Sequence, residues 1–233
     1  MQNRILLLAS LALPCSTWAM FDQIEPLGSL ETDLEYGVAQ VFPDLPEFSG
    51  MVIDDFFAGG KITRVSAAFE LIDPASFSTL PGLVQGWRIS VFESVAKAEQ
   101  AGNEFALNTL ATHVVTAPTY SSLGSVGKTT GFRVDFDGLN LDSGVGLRWI
   151  GVAAIMPSTT LEQVFLLGNS QPASFGGGAA DNALFVNPGE AFGTWRSQAL
   201  NTNAAYRVEA VPEPATLAGL ALGASWLTRR RKR

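Results

Sequence analysis

Apolar and polar residues alternate with a period of two along several stretches of this chain. Phe132, Val134 and Phe136 alternate with Arg133, Asp135 and Asp137, the cleanest case. Val65, Ala67, Phe69 and Leu71 alternate with Ser66, Ala68 and Glu70. Trp87, Ile89 and Val91 alternate with Arg88 and Ser90, and Tyr206, Val208 and Ala210 with Arg207 and Glu209. This period puts one face of a strand in a core and the other in water. Leu147 to Met156 is almost wholly apolar and reads as a central strand buried on both faces. Shorter strand candidates are Met51 to Ile53, Thr112 to Thr116, Gln163 to Leu167, Ala183 to Val186 and Phe192 to Trp195. The spacers are turn-rich: Gly59-Gly60, Pro81-Gly82, Asp137-Gly138, Gly176-Gly177-Gly178 and Pro188-Gly189.

Short strands joined by such turns predict an all-β domain. We expect an antiparallel two-sheet sandwich, jelly-roll-like, over residues 49–211. Two stretches fit strands badly. Val95 to Leu110 is rich in Ala, Glu, Gln and Lys and suits a short helix. Residues 20–48 are acidic, hold Pro26, Pro43 and Pro46, and read as a loosely packed arm. With 47% hydrophobic residues the chain of 233 is not a disordered one. One cysteine excludes a disulfide scaffold or a cysteine zinc cluster, and one histidine excludes sites that need several imidazoles.

The two ends read as addresses. Arg4 precedes an apolar run from Ile5 to Leu13, which Pro14 and Cys15 break. Thr17-Trp18-Ala19 supplies small residues where a signal peptidase reads. This is the pattern of a secretory signal peptide over 1–19, cut after Ala19. Pro14 before Cys15 argues against a lipid-attachment box. At the other end, Pro212-Glu213-Pro214 leads into an apolar, small-residue-rich stretch, Ala215 to Thr228, and then Arg229-Arg230-Arg231-Lys232-Arg233. We expect a C-terminal hydrophobic helix over the apolar stretch. The basic block would stay on the cytoplasmic side.

Residues 212–233, with Pro212-Glu213-Pro214, Ala215-Thr216-Leu217-Ala218-Gly219-Leu220 and the terminal basic block, resemble the PEP-CTERM sorting signal. The resemblance covers a tenth of the chain. It implies a protein of a Gram-negative, exopolysaccharide-secreting bacterium. It implies an inner-membrane intermediate, held transiently through the C-terminal helix. An exosortase-type membrane protease would remove the tail, with Pro212, Glu213 and Pro214 as the recognition element. The body would then sit at the cell surface or in the extracellular matrix. None of this names the body's activity, since one tail serves many domains.

The tails distort the charge count of −7. Without Arg4 and the five terminal basic residues, 9 basic residues remain; without Glu213, 21 acidic ones do, so the body carries −12. Such a body binds neither nucleic acid nor an anionic membrane by electrostatics.

Four groups of residues are candidate sites. Asp135, Asp137, Asn140 and Asp142 flank Gly138 and read two ways: a hairpin turn with solvated carboxylates, or an oxygen-rich calcium loop (Ca2+). Position 146 is Gly, so no EF-hand loop is completed. Asp54 and Asp55, with Glu209, read either as surface carboxylates or as ligands of a structural ion. His113 lies in a strand-like run with no nucleophile elbow to serve, and reads as an ordinary strand histidine. Trp87 and Trp149 read as core; Trp195, near Gly193 and Arg196, is the candidate for stacking on a sugar ring. The expected role is non-enzymatic, in exopolysaccharide or a biofilm matrix. The alternatives are a calcium-assisted carbohydrate-binding module and, behind it, a polysaccharide hydrolase.

Overall fold

A computed structural model describes residues 18–22, 24, 37–71, 78, 80–126, 129–159, 164–169, 183–191, 196–200 and 202–212. The expected leader to Thr17, the strand candidate at 192–195 and the C-terminal helix lie outside the described residues. The short strands β1 (Trp18–Asp22), β2 (Gly37–Val38) and β3 (Gln40–Val41) come first. A 3-10 turn at Pro46–Phe48 leads into β4 (Met51–Leu71), 21 residues long. Then follow α1 (Leu80–Leu83), β5 (Gly86–Phe92), α2 (Val95–Glu99), β6 (Ala111–Val115), β7 (Thr119–Val126), β8 (Thr129–Phe136) and β9 (Leu141–Ile155). The chain continues through β10 (Val164–Leu166), β11 (Gly168–Asn169), β12 (Leu184–Val186), β13 (Ser197–Ala199), β14 (Asn203–Ala204) and β15 (Tyr206–Pro212).

The fold is all-β and antiparallel, as the alternation predicts. Its layers are not two separate sheets. Thirteen of the described strands share one hydrogen-bonded sheet that curls over, and β11 pairs with β14 apart from it. Among the described strands only β3 and β9 pair in parallel. The axis is β4. On one edge β9 pairs with Ile53–Ile62 and β8 with Val65–Leu71. Because β8 runs into β9, one long antiparallel partner follows nearly the whole of β4. Between the two ladders β4 has Thr63 and Arg64, while its partner has Asp137 to Asn140. Two extra residues bend the ribbon there. The bend also changes which side of β4 is inward. Val52, Phe56, Ala58 and Ile62 reach the main core before it, and Val65, Ala67, Phe69 and Leu71 after it.

Asp137-Gly138 is therefore a bulge inside a continuous ribbon, and not the hairpin turn its composition suggests. The two halves face each other across an aromatic cluster. Trp87 of β5 packs on Phe69 at 4.7 Å between ring centroids, and on Phe136 of β8 at 5.8 Å. Phe69 stacks on Phe132 at 5.6 Å. Burying rings of this size contributes about 1.5–3 kcal/mol each by transfer alone. Trp87 also donates from Nε1 to Tyr120 Oη at 2.8 Å, so its one polar atom is satisfied.

β9 is buried on both faces from Trp149 to Ala154, as its apolar run predicts. Ile150, Val152 and Ala154 enter the main core. Trp149 and Ala153 enter a second cluster under α2, with Phe92, Ala98 and Phe105. The helix expected over Val95 to Leu110 is real but stops after Glu99. The arm is bound more tightly than its composition predicts where it is described. Ala39 donates to the Val164 carbonyl and its own carbonyl accepts from Ala154, so residues 37–41 bridge β10 and β9. Ala39 and Val41 are buried there. Among the described residues no helix is long and apolar enough to cross a membrane.

Candidate functional site

The body hands over to its tail at β15. This strand lies between β4 and β1, so both of its edges are paired. Tyr206, Val208 and Ala210 point into the core and are buried. Arg207 and Glu209 point outward into a lattice of charges. Arg207 reaches Asp22 of β1 at 3.5 Å and Glu209 at 3.0 Å. Arg64 of β4 lies 3.9 Å from Glu209, 3.1 Å from Asp135 and 3.0 Å from Asp137. Arg133 of β8 holds Asp135 from Nε and Nη2 at 2.9 and 2.7 Å. Ser66 Oγ adds a hydrogen bond to the same oxygen at 2.5 Å. Opposite charges on neighbouring strands stabilise the pairing by roughly 0.2–1 kcal/mol each, and a network does better than isolated pairs. Burial works against a charged Asp135. The bonds from Ser66 and Arg133 and the charges of Arg133 and Arg64 outweigh it, holding the carboxyl below its ordinary value.

Tyr206 anchors the start of the strand. It crosses the core and places its hydroxyl where β4 and β9 part, accepting from the Val152 amide at 3.0 Å and donating to the Val52 carbonyl at 2.7 Å. Beside it Asp54, also inside the core, accepts from the Ala204 amide at 2.8 Å and from the Asp55 amide at 2.8 Å. Burial pushes Asp54 up to about 7 despite those two bonds. Burial also raises the Tyr206 phenol, and the Asp54 charge raises it further.

The strand ends in register with the ribbon's bend: Ala210 pairs with Ile62, Val211 with Lys61 and Pro212 with Gly60. Pro212 has no amide to donate, so it closes the ladder. Glu213 and Pro214 lie outside the described residues.

The calcium candidates do not form a cradle. Asp135 is occupied by Arg64, Arg133 and Ser66. Asp137 is exposed and paired with Arg64. Asp142 accepts from the Gly144 amide at 2.9 Å, within its own turn. Asn140 is exposed at the end of the bulge. Asp54 and Glu209 are separated in role: the first is a core acceptor, the second part of the surface lattice. Among the described residues no three His, Cys, Asp or Glu side chains are grouped to hold a metal. His113 is exposed on β6. Trp87 and Trp149 are core residues, and Trp195 lies outside the described residues. Ala19 lies in β1, paired with Glu209.

Sequence reasoning did not single out Arg64, Arg133, Arg207 or Tyr206. Tyr206 could have been noticed as an inward-facing strand residue whose hydroxyl needs a hydrogen bond inside a core.

Searches of the curated proteins and of the solved structures found no match. A family model does match: the PEP-CTERM protein-sorting motif, over residues 210–232. The match begins at Ala210, inside the β15 ladder, so the first three residues of the motif are part of the folded sheet. The chain carries a PEP-CTERM protein-sorting motif joined directly to its folded body, and with it the mark of an exported surface or extracellular protein that an exosortase processes.

Proposed function

We propose that this protein is a non-enzymatic matrix component, delivered by its tail and retained with exopolysaccharide. Signal peptidase removes residues 1–19. The apolar stretch Ala215 to Thr228 then holds the chain transiently in the inner membrane, with the basic block inside. Exosortase cuts the tail and the acidic sheet domain goes outward.

One observation carries this reading: the motif starts inside the last strand, so the sheet domain is the cargo, tethered with no linker of its own. The lattice of Asp22, Arg207, Glu209, Arg64, Asp135 and Arg133 braces that strand and keeps the body folded up to the tail. Of the carboxylates that the sequence suggests as ligands, Asp135, Asp137 and Glu209 serve this brace and Asp54 serves the core. That supports a structural role over a catalytic one.

The test follows the full chain in an exopolysaccharide-secreting bacterium with an active exosortase. Wild-type protein should lose its tail and fractionate with the polysaccharide. Glu213→Ala should remain tail-bearing in the membrane fraction. Processed protein that is found free in the medium, and not with the polymer, would refute the matrix role and leave the sorting route intact.

A further inference from the structure

Two of the most exposed large apolar side chains sit on one face of the ribbon, Phe57 at 56% and Val145 at 66%. Phe57 pairs with Leu147 and Gly59 with Val145, so Phe57, Val145 and the half-buried Leu147 share that face. Farther along the same strand, toward Met51, the face is covered by α2 and Phe105. Here it is bare among the described residues.

Val145 is presented by a turn-like bulge inside β9. Gly144 and Gly146 on either side have φ of 63° and 110°, in the left-handed region that favours glycine. The Arg148 guanidinium then fills the carbonyls of the turn, bonding Ser143 at 2.9 Å, Val145 at 2.8 Å and Leu147 at 2.8 Å. An apolar residue is thus held outward by a turn with three of its carbonyls bonded to Arg148, where a polar residue would cost nothing.

The same place is where the tail departs. β15 runs antiparallel to β4, so at Pro212, beside Gly60, the strand points along β4 toward Phe57. Phe57 lies three residues from Gly60, about 10 Å along the strand. Only Glu213 and Pro214 separate Pro212 from the apolar stretch, a reach of about 10 Å when extended. Whenever that stretch is in a bilayer, this end of the body lies at the bilayer surface. The body's −12 charge would be repelled by anionic lipid, so the side turned inward has to be the uncharged one. The charges bordering the patch balance in sign: Lys61 and Asp142 lie opposite one another in the ladder, the Arg148 guanidinium sits on the Val145 and Leu147 carbonyls, and the buried Asp55 lies two residues from Phe57.

We propose that, before tail removal, the Phe57–Val145 face rests in the lipid interface of the membrane and holds the sorting motif at its surface. The proposal rests on the membrane-inserted tail of the proposed function. Amphipathic contacts of this kind bury apolar side chains at the headgroup and acyl boundary.

The test uses tail-bearing protein isolated from an exosortase-deficient producing strain, which has no native thiol once residues 1–19, and Cys15 with them, are removed. An environment-sensitive fluorophore is attached at Phe57→Cys, at Val145→Cys or, as a control, at Leu123→Cys on β7, where the native side chain is 39% exposed. Each protein is reconstituted in vesicles of phosphatidylethanolamine and phosphatidylglycerol. Labels at 57 and 145 should brighten several-fold and be quenched by a lipid-borne quencher, while the label at 123 should not respond. Protein that floats with the vesicles while all three labels remain in water would overturn the patch and spare the tail. Protein that does not float would overturn the inserted tail, and the patch with it.

Discussion

Tyr206 Oη donates to the Val52 carbonyl at 2.7 Å, joining β15 to the start of β4, the longest of the described strands. Val152 donates to the same hydroxyl. One phenol therefore replaces the ladder bond that β4 and β9 stop making beyond Ile53 and Gly151. Tyr206→Phe keeps the ring and strands both backbone groups in a dry site. It should cost about 1–3 kcal/mol of unfolding free energy, read by chemical denaturation, with little change in the circular dichroism of the folded state.

Asp54 should make the domain lose stability as pH rises. Its carboxyl is pushed up to about 7 by burial, against an ordinary 3.8. Between those values the folded state keeps a proton that the unfolded chain has released. The stabilisation is complete below about pH 4 and is lost by about pH 7. Glu70, also raised to about 7 by burial, acts in the same direction. Asp54→Asn keeps an acceptor for the Ala204 amide and removes the proton. The difference in stability between wild type and variant should change by a few kcal/mol between about pH 4 and pH 8. A constant difference would mean that Asp54 ionises normally.

Asp135 should act in the opposite sense. Its carboxyl is held low, so its contribution is present above the ordinary carboxylate value and lost as pH falls through the lowered one. Asp135→Asn should cost about 1.5–3 kcal/mol at neutral pH, because three donor groups lose a charged acceptor. That cost should shrink in acid, where the wild-type carboxyl is protonated too.

Removal of the leader should leave Met20 as the first residue, as mass spectrometry of exported protein would show. Phe21 and Asp22 would keep their pairing with Val208 and Arg207. Asp22→Ala should then loosen the new terminus, measured as faster amide exchange at Val208 and Glu209, with the core strands unaffected. A start several residues later would remove β1 altogether and contradict the cut after Ala19.

Gly138 has φ of 69°, and beyond its chain neighbours no heavy atom lies within 4 Å of where a Cβ would sit, so its substitution tests backbone strain alone. Gly138→Ala should destabilise by about 1–2 kcal/mol, read by chemical denaturation. A neutral effect would show that the bulge relaxes freely.

The strands were readable because a half-buried strand repeats every two residues. Phe132, Val134 and Phe136 point inward as their spacing says, and so do Tyr206, Val208 and Ala210. The bulge was not readable. Asp137-Gly138 has the same chemistry whether it turns a hairpin or bends a continuous ribbon, and only the long-range partner, β4, separates the two. The site was less legible still. Asp135 looks like an outward strand residue until Arg64 and Ser66 arrive from 71 and 69 positions away. Asp54 looks like a surface carboxylate until the Ala204 amide, 150 positions away, fills its lone pair.

Local chemistry by itself determined the all-β class, the inward and outward faces of the main strands, the core places of Trp87 and Trp149, and the sorting motif at the C-terminus. Each depends on residues that are neighbours in the chain. Tertiary structure alone decided that the layers are one curled sheet, that Asp135, Asp137 and Glu209 are braces and Asp54 a core acceptor, and that the motif begins inside a ladder beside an exposed apolar face. Those outcomes depend on which distant strands pair, and pairing is settled by the collective burial of both faces of β4 and β9, which no local pattern encodes.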